Sequence, residues 1–442
     1  MVEIDDDDEK LCSKPILKNY VDQNPKGYLN HYPPSSVSSS MRRTVRPLFR
    51  ALVLLVLAAT ISCRFAIRSG FMSIYLSNVV DEDVNDEGLT GEAKRVLDFP
   101  LFNSSLLKLS EVEIGEDIVK MQIEELLEGN LVGQSKLQYR GHFMSWFRGR
   151  DVDFRALLSK GNMVSLRSPH FSRTWPEFRK ALHDWSRKKG FEYDIMSELV
   201  DLVKLPIDRH KGFKSGKMYS SCAVVGNSGI LLNNDHGDVI DGNEVVIRLN
   251  NARIEGYKRH VGSKTSISFI NSNILHQCSR RDACPCHPYG QDVAIVMYIC
   301  QPVHFLDYTI CNASHKAPLI VTDPRLDVLA SRLVKYYSLK RLTDRPNKTL
   351  EQWIAAHDGA MFHYSSGMQA VMLALGTCNR VSLFGFGKAP SAKHHYHTSQ
   401  RAELSLHDYE AEFDFYRDLV ERPEVIPFIS SKFKFPPVTI HR

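Results

Sequence analysis

Four short blocks hold residues whose types and spacing could do chemistry. The first is Cys222-Ala223-Val224-Val225-Gly226-Asn227-Ser228-Gly229, an apolar strand-like run that ends in a small, Gly-flanked turn. Backbone N–H groups of such a turn can face a phosphate, and open α/β sheets bind ligands at the carboxyl ends of their strands. A tight strand-to-helix turn with no ligand fits the same residues. The block is neither G-x-G-x-x-G nor a Lys-bearing P-loop, which counts against hydride and ATP chemistry. The second block, Val245-Val246-Ile247-Arg248-Leu249-Asn250-Asn251-Ala252, places Arg and Asn behind another apolar run. They face a ligand there, or Arg248 is a strand-end ion-pair partner. The third, Ser365-Ser366-Gly367 and the apolar stretch that follows to Gly376, reads as a helix N-terminus suited to an anion or a ribose. The fourth is histidine-rich: His394-His395-Tyr396-His397, then His407-Asp408-Tyr409-Glu410-Ala411-Glu412. Histidine is a base or an acid near neutral pH. Zinc ligation and surface decoration are the rivals, and no spacing here matches a zinc pattern.

The elements that must position these blocks are legible from periodicity. Short apolar runs at Ala223–Val225, Glu244–Leu249, Ser266–Ile270, Val293–Ile299, Leu319–Val321 and Val381–Phe384 predict buried strands. Helical spacing lies between them, at Leu326–Tyr337 and Gly367–Leu375. Such alternation argues for an α/β fold with a mainly parallel central sheet flanked by helices. Upstream, the spacing predicts a helix from Ile118 to Leu127 ending at Gly129. A second starts near Ser172 with Pro176 in its first turn, and a third runs from Ile195 to Leu205 and stops before Pro206.

Residues 1–40 carry an acidic run (Asp5–Asp8) and a Pro/Ser stretch, a composition that cannot form a core. Arg42, Arg43, Arg46 and Arg50 then precede an uncharged run of 13 residues, Ala51–Cys63, inside a mostly apolar 20-mer from Leu48 to Ile67. The uncharged run is short of the ~20 residues that span a bilayer core, which suits a cleaved signal peptide. Arginines snorkelling at the ends, thin secretory membranes and basic residues on the cytosolic side suit a signal anchor. A buried core helix is the third alternative. The anchor reading gives a cytosolic tail at 1–47, a transmembrane helix at 48–67, a lumenal stem with helical segments at 68–160 and a catalytic domain at 161–442. Three N-glycosylation sequons, at Asn103, Asn312 and Asn347, and seven of the nine Cys follow the 20-mer, in keeping with a lumenal body.

Composition bounds the function classes. The 442 residues carry 56 Lys+Arg against 51 Asp+Glu, with 24% charged and 43% hydrophobic residues. These proportions exclude a collagen, a rod, a disordered chain and a multi-span membrane protein. A net charge of +5 over so long a chain offers no nucleic-acid footprint.

Taken in order, the four blocks resemble the animal-type sialyltransferases of the secretory pathway, glycosyltransferase family 29, and are most similar to plant sialyltransferase-like proteins. Cys222 to about Thr265 resembles the family's large motif, closing on Val261-Gly262-Ser263-Lys264-Thr265. Ser365 to Gly387 resembles the small motif, His395-Tyr396 the third, and His407 with Glu412 the very-small motif. The resemblance covers about residues 210–420. It implies a GT-A-like variant fold and a single catalytic domain in the Golgi that needs no metal or other cofactor. The implied substrates are a CMP-activated, sialic-acid-like ulosonate donor and a glycan hydroxyl as acceptor. Asn227, Ser228, Gly229 and Asn250 would hold the CMP part of the donor, with Ser366, Gly367 and Tyr396. His395 would stabilise the departing CMP, His407 would take the acceptor proton, and Cys222 would pair with Cys378. Departures from the pattern stand at Arg253, His260, Tyr364 and Thr398. CMP-Kdo is the alternative donor, and a catalytically silent glycan-binding protein the alternative class. Asp151-Val152-Asp153, the one lumenal Asp-x-Asp with a hydrophobic middle outside the acidic runs, follows Arg150 rather than a buried strand and reads as surface.

Overall fold

The computed structural model describes residues 104–441 except 113–115, 132–163, 170–171, 214–215, 280–287, 345–348, 357–363, 388, 390–391 and 399–406. The expected tail and anchor, Asn103, Asn347, Asp151–Asp153, Cys284 and Cys286 lie outside the described residues. Among those described, no helix is long and apolar enough to cross a membrane.

Seven strands form one sheet: β1 (Cys222–Val225), β2 (Val245–Leu249), β3 (Ile267–Asn271), β4 (Ala294–Tyr298), β5 (Leu319–Val321), β6 (Val381–Phe384) and β7 (Val438–His441). Their spatial order is β5-β4-β3-β2-β1-β6-β7, and every neighbouring pair is parallel. The expected mainly parallel sheet is therefore present. Parallel strands covered on both faces bury every residue, which is why β1 and β4 read as unbroken apolar runs and β2 and β3 as apolar runs interrupted by Arg248 and Ser268. The edge strand β7 was not foreseen; it is four residues long, behind Pro436-Pro437, and has no such run.

Nine helices matter for the argument: α1 (Ser104–Glu111), α2 (Glu116–Leu127), α3 (Trp175–Arg187), α4 (Ile195–Leu199), α5 (Leu205–His210), α6 (Phe305–Ser314), α7 (Pro324–Thr343), α8 (Ser366–Thr377) and α9 (Tyr409–Glu421). Alternate strand residues sort to opposite faces. Val224, Ile247 and Phe269 pack with α4, α7, α8 and α9 in the largest core cluster. Ile270, Ile295 and Met297 meet α2, α3 and α6 on the other face, while Ala223, Val225 and Val246 meet Leu231, Ile240 and Tyr396.

Two expectations change. The helix expected to stop before Pro206 does not stop. A π-turn, Val200–Lys204, follows α4, and Pro206 falls in the first turn of α5, where its missing N–H goes unneeded. The expected stem boundary at residue 160 also moves: Leu106 of α1 belongs to the main core, and Ile123 and Leu126 of α2 to the second. The described residues fall in one compact unit. The apolar stripe of α2, visible in the sequence, is buried against α3.

Candidate active site

The register of the sheet builds the site. Val225 lies level with Arg248 and with Phe384, so β1, β2 and β6 end together. The strand order reverses beside β1, and ligands of open α/β sheets bind at such a switch point. A cleft of about 650 Å³ opens at these carboxyl ends. Its floor includes Gly226, Asn227 and Ser228 after β1, Asn250 after β2, and Gly385 after β6. Gly226 and Gly385 let the two strand ends close up, since a Cβ on Gly226 would lie 2.8 Å from the Gly385 carbonyl oxygen. Asn227 keeps a buried Oδ1 without a hydrogen-bond partner, an acceptor aimed at no protein group.

Asn250 has φ 50°, left-handed backbone that Asn tolerates better than most residues. This bend turns its side chain to two neighbours. Its Oδ1 accepts from Asn271 N–H at 3.1 Å, and its Nδ2 lies 3.4 Å from Ser366 Oγ. The Tyr298 hydroxyl is 3.3 Å from the same Ser366 oxygen.

Ser366 and Gly367 open α8, an apolar helix buried along its whole length. Ser365 is its cap, accepting from Met368 N–H at 3.2 Å. Glu412 of α9 holds that cap: Ser365 N–H donates to one carboxylate oxygen at 2.7 Å and Ser365 O–H to the other at 2.5 Å. Tyr416 O–H adds a third bond at 3.2 Å. Burial pushes the Glu412 carboxyl up to about 7 in spite of these donors.

His407 and His395 line the same cleft as the α8 N-terminus. A chain of rings connects them: His395 stacks on His394 with centroids 4.4 Å apart, His394 lies 5.4 Å from Tyr409, and Tyr409 lies 5.5 Å from His407. Asp408 caps α9, accepting from Ala411 N–H at 3.0 Å, which fixes His407 just ahead of the helix. His397, the third histidine of the run, is held neutral: burial and Arg253 lower it to about 4.

Gly229 and Tyr396 are not on the cleft wall. They hold residues that are. Gly229 N–H donates to Lys393 C=O at 3.0 Å and Tyr396 N–H to Asn227 C=O at 2.9 Å, which clips the His395 segment to the turn after β1. Tyr396 itself is 1% exposed, its hydroxyl donating to Arg253 C=O. Arg248 faces away from the cleft. It is 1% exposed, donates to Lys264 C=O and Thr265 Oγ1 at 3.0 Å, and lies 4.0 Å from Asp241.

Cys222 and Cys378 are joined by a disulfide, their Cα atoms 6.0 Å apart. Cys300 and Cys311 are each disulfide-bonded. Asn312 sits inside α6, half-buried, its amide donating to Glu177 at 3.2 Å. Among the described residues, no cluster of three or more His, Cys, Asp or Glu could hold a metal.

Several cleft residues escaped the reading of the motifs as site residues. His394 and Tyr409 stand beside His395 and His407, and Asn271 and Tyr298 end β3 and β4. For Asn271 the available signal was its position, a polar residue directly after the predicted strand Ser266–Ile270 and so at the ligand edge; His394 and Tyr409 stood in the histidine-rich block itself.

Residues 167–423 match the model of the family described as Glycosyltransferase family 29 (sialyltransferase). The chain belongs to that family. It is 49% identical over 409 residues to Beta-1,6-galactosyltransferase GALT29A of Arabidopsis thaliana, covering 91% of this chain and 100% of the relative. It is 47% identical over 366 residues to Sialyltransferase-like protein 1 of Oryza sativa subsp. japonica, covering 78% and 89%. A crystal structure of a mammalian sialyltransferase with Gal-beta-1-3GalNAc-ortho-nitrophenol aligns over 60% of this chain and 85% of that chain, at 21% identity and a TM-score of 0.33. All four blocks of this family 29 chain fall within the matched region.

Proposed function

We propose that this family 29 glycosyltransferase moves a sialic-acid-like ulosonate from a CMP-activated donor to a glycan hydroxyl, with inversion and without a metal. The observation that carries the reading is the meeting, in one cleft at the strand ends, of the α8 N-terminus with His395 and His407. In this reading Asn227, Ser228, Asn250, Ser366 and Gly367 hold the nucleotide part, and helix N–H groups with His395 take up charge on the departing phosphate. His407 removes the proton of the attacking hydroxyl, help worth ~10²–10⁴-fold. Residues 48–67 anchor the chain in the Golgi membrane with the catalytic body in the lumen.

A second donor has a specific observation behind it. The Arabidopsis relative, matched over its whole length, is named a β-1,6-galactosyltransferase. A nucleotide-activated galactose donor fits the same inverting displacement and the same base.

The test is nucleotide release by the detergent-solubilised full chain with CMP-sialic acid, CMP-Kdo and UDP-galactose, each with mixed glycan acceptors. Acceptor-dependent release with a CMP donor, lost by ~10²-fold or more in His407→Ala, is expected. Release with UDP-galactose alone moves the reading to the second donor. Undiminished release by His407→Ala removes the base from the mechanism, and absence of any nucleotide binding would favour the silent glycan-binding alternative.

A further inference from the structure

The donor mechanism uses the strand-end floor of the cleft and leaves one wall without a role. That wall is α9. Its residues Glu410, Phe413, Asp414 and Arg417 recur at helical spacing and line the cleft on the side that begins at His407. Arg341, reaching across from α7, joins them. From Tyr409 to Arg417 the helix rises about 12 Å, room for more than one sugar ring.

The polar groups of this wall are tied to one another. Asp414 accepts from Arg341 at 2.7 Å on one oxygen and pairs with Arg417 at 2.8 Å on the other. Arg341 also pairs with Glu410. Two carboxylates and two guanidiniums thus balance in charge, and mutual pairing holds them in place before any ligand arrives. Each guanidinium carries five donors in a fixed fork, more than these bonds consume. Phe413 is half-buried beside the network, its ring 3.3 Å from where a Cβ on Gly387 would stand. A flat ring next to paired donors and acceptors suits a sugar, which has an apolar C–H face and a rim of hydroxyls. Among the described residues of this wall the charges balance, which suits a neutral sugar better than a uronate or another anionic one.

We infer that the α9 wall is the acceptor subsite, with Phe413 under the apolar face of a neutral saccharide and the Arg341–Asp414–Arg417 network on its hydroxyls. The inference rests on the transferase reading, because an acceptor hydroxyl must come within hydrogen-bond reach of His407. The wall that continues from His407 then meets the rest of the acceptor.

The probes are a neutral β-linked galactotriose and the anionic trigalacturonate. Each is titrated against the detergent-solubilised full chain by saturation-transfer NMR, with CMP and UDP titrated separately. Binding of galactotriose over trigalacturonate is expected. Galactotriose affinity should fall about tenfold in Phe413→Ala, and fall also in the milder Asp414→Asn, while the nucleotide that binds keeps its affinity. Preference for trigalacturonate, unchanged galactotriose affinity in both variants, or no binding of either saccharide overturns the assignment. Loss of nucleotide binding in the wild type strikes the transferase reading instead and leaves the saccharide result interpretable.

Discussion

His395 owes its place to glycine. A Cβ on Gly229 would stand 2.5 Å from the Lys393 carbonyl oxygen and 2.7 Å from its nitrogen, both backbone atoms that have no freedom to swing aside. Gly229→Ala must therefore displace the segment that carries His395. A shift of about 1 Å at a reacting group can cost ~10²-fold in rate. The expected outcome is a loss of transfer of that order with the thermal midpoint lowered by only a few degrees, since overpacking typically costs ~1–3 kcal/mol, read by parallel activity and melting assays. Wild-type activity in Gly229→Ala would show that the Lys393–His395 segment has slack. Gly229 was expected at the donor. The structure places it off the cleft wall, against a chain segment 164 positions away that local sequence does not announce.

At the scale of elements, the contact between α9 and the cap of α8 decides how the Ser366 end and the His407 end of the cleft are coupled. Glu412 is 2% exposed and its carboxyl is raised from 4.5 to about 7, chiefly by burial. The folded state therefore holds a proton that the unfolded chain releases as pH rises past about 4.5. Stability from this group is full below that pH and declines as pH climbs through about 7. Asp327, raised to about 7 by burial, acts in the same direction. Glu412→Gln has no proton to lose. The difference in denaturation midpoint between pH 5 and pH 7.5 should shrink in the variant and persist in part through Asp327. An unchanged difference would mean that Glu412 ionises in the fold as it does in water. The helix N-terminus at Ser366 was readable from Ser-Ser-Gly before an apolar run. Its partner was not, because Glu412 lies 47 residues away.

At the scale of the whole molecule, the disulfide Cys222–Cys378 closes 156 residues of chain between the start of β1 and the end of α8. Both sulfurs belong to fully buried residues in the main core. Replacing both by Ala should cost ~2–5 kcal/mol, a fall in thermal midpoint on the order of 10 °C for a domain of this size. Calorimetry of the double variant checks it, and an unchanged midpoint would show that packing alone holds β1 against α8. The resemblance implied this pairing and the structure contains it.

Sequence by itself determined the strands of the sheet except its edge, the start of α8 and the order of the chemistry-bearing blocks. Buried parallel strands, capped helix starts and glycine turns are local patterns, and local patterns survive in a one-dimensional record. Tertiary structure decided which of those residues share a space. It drew α1 and α2 out of the expected stem into the core, turned Arg248 to the far face while Asn250 reached the cleft, and brought Ser366 to Asn250 across 116 residues. Those outcomes follow from which face of the sheet each side chain takes and which helix covers it. Both are settled by packing between segments far apart in the chain.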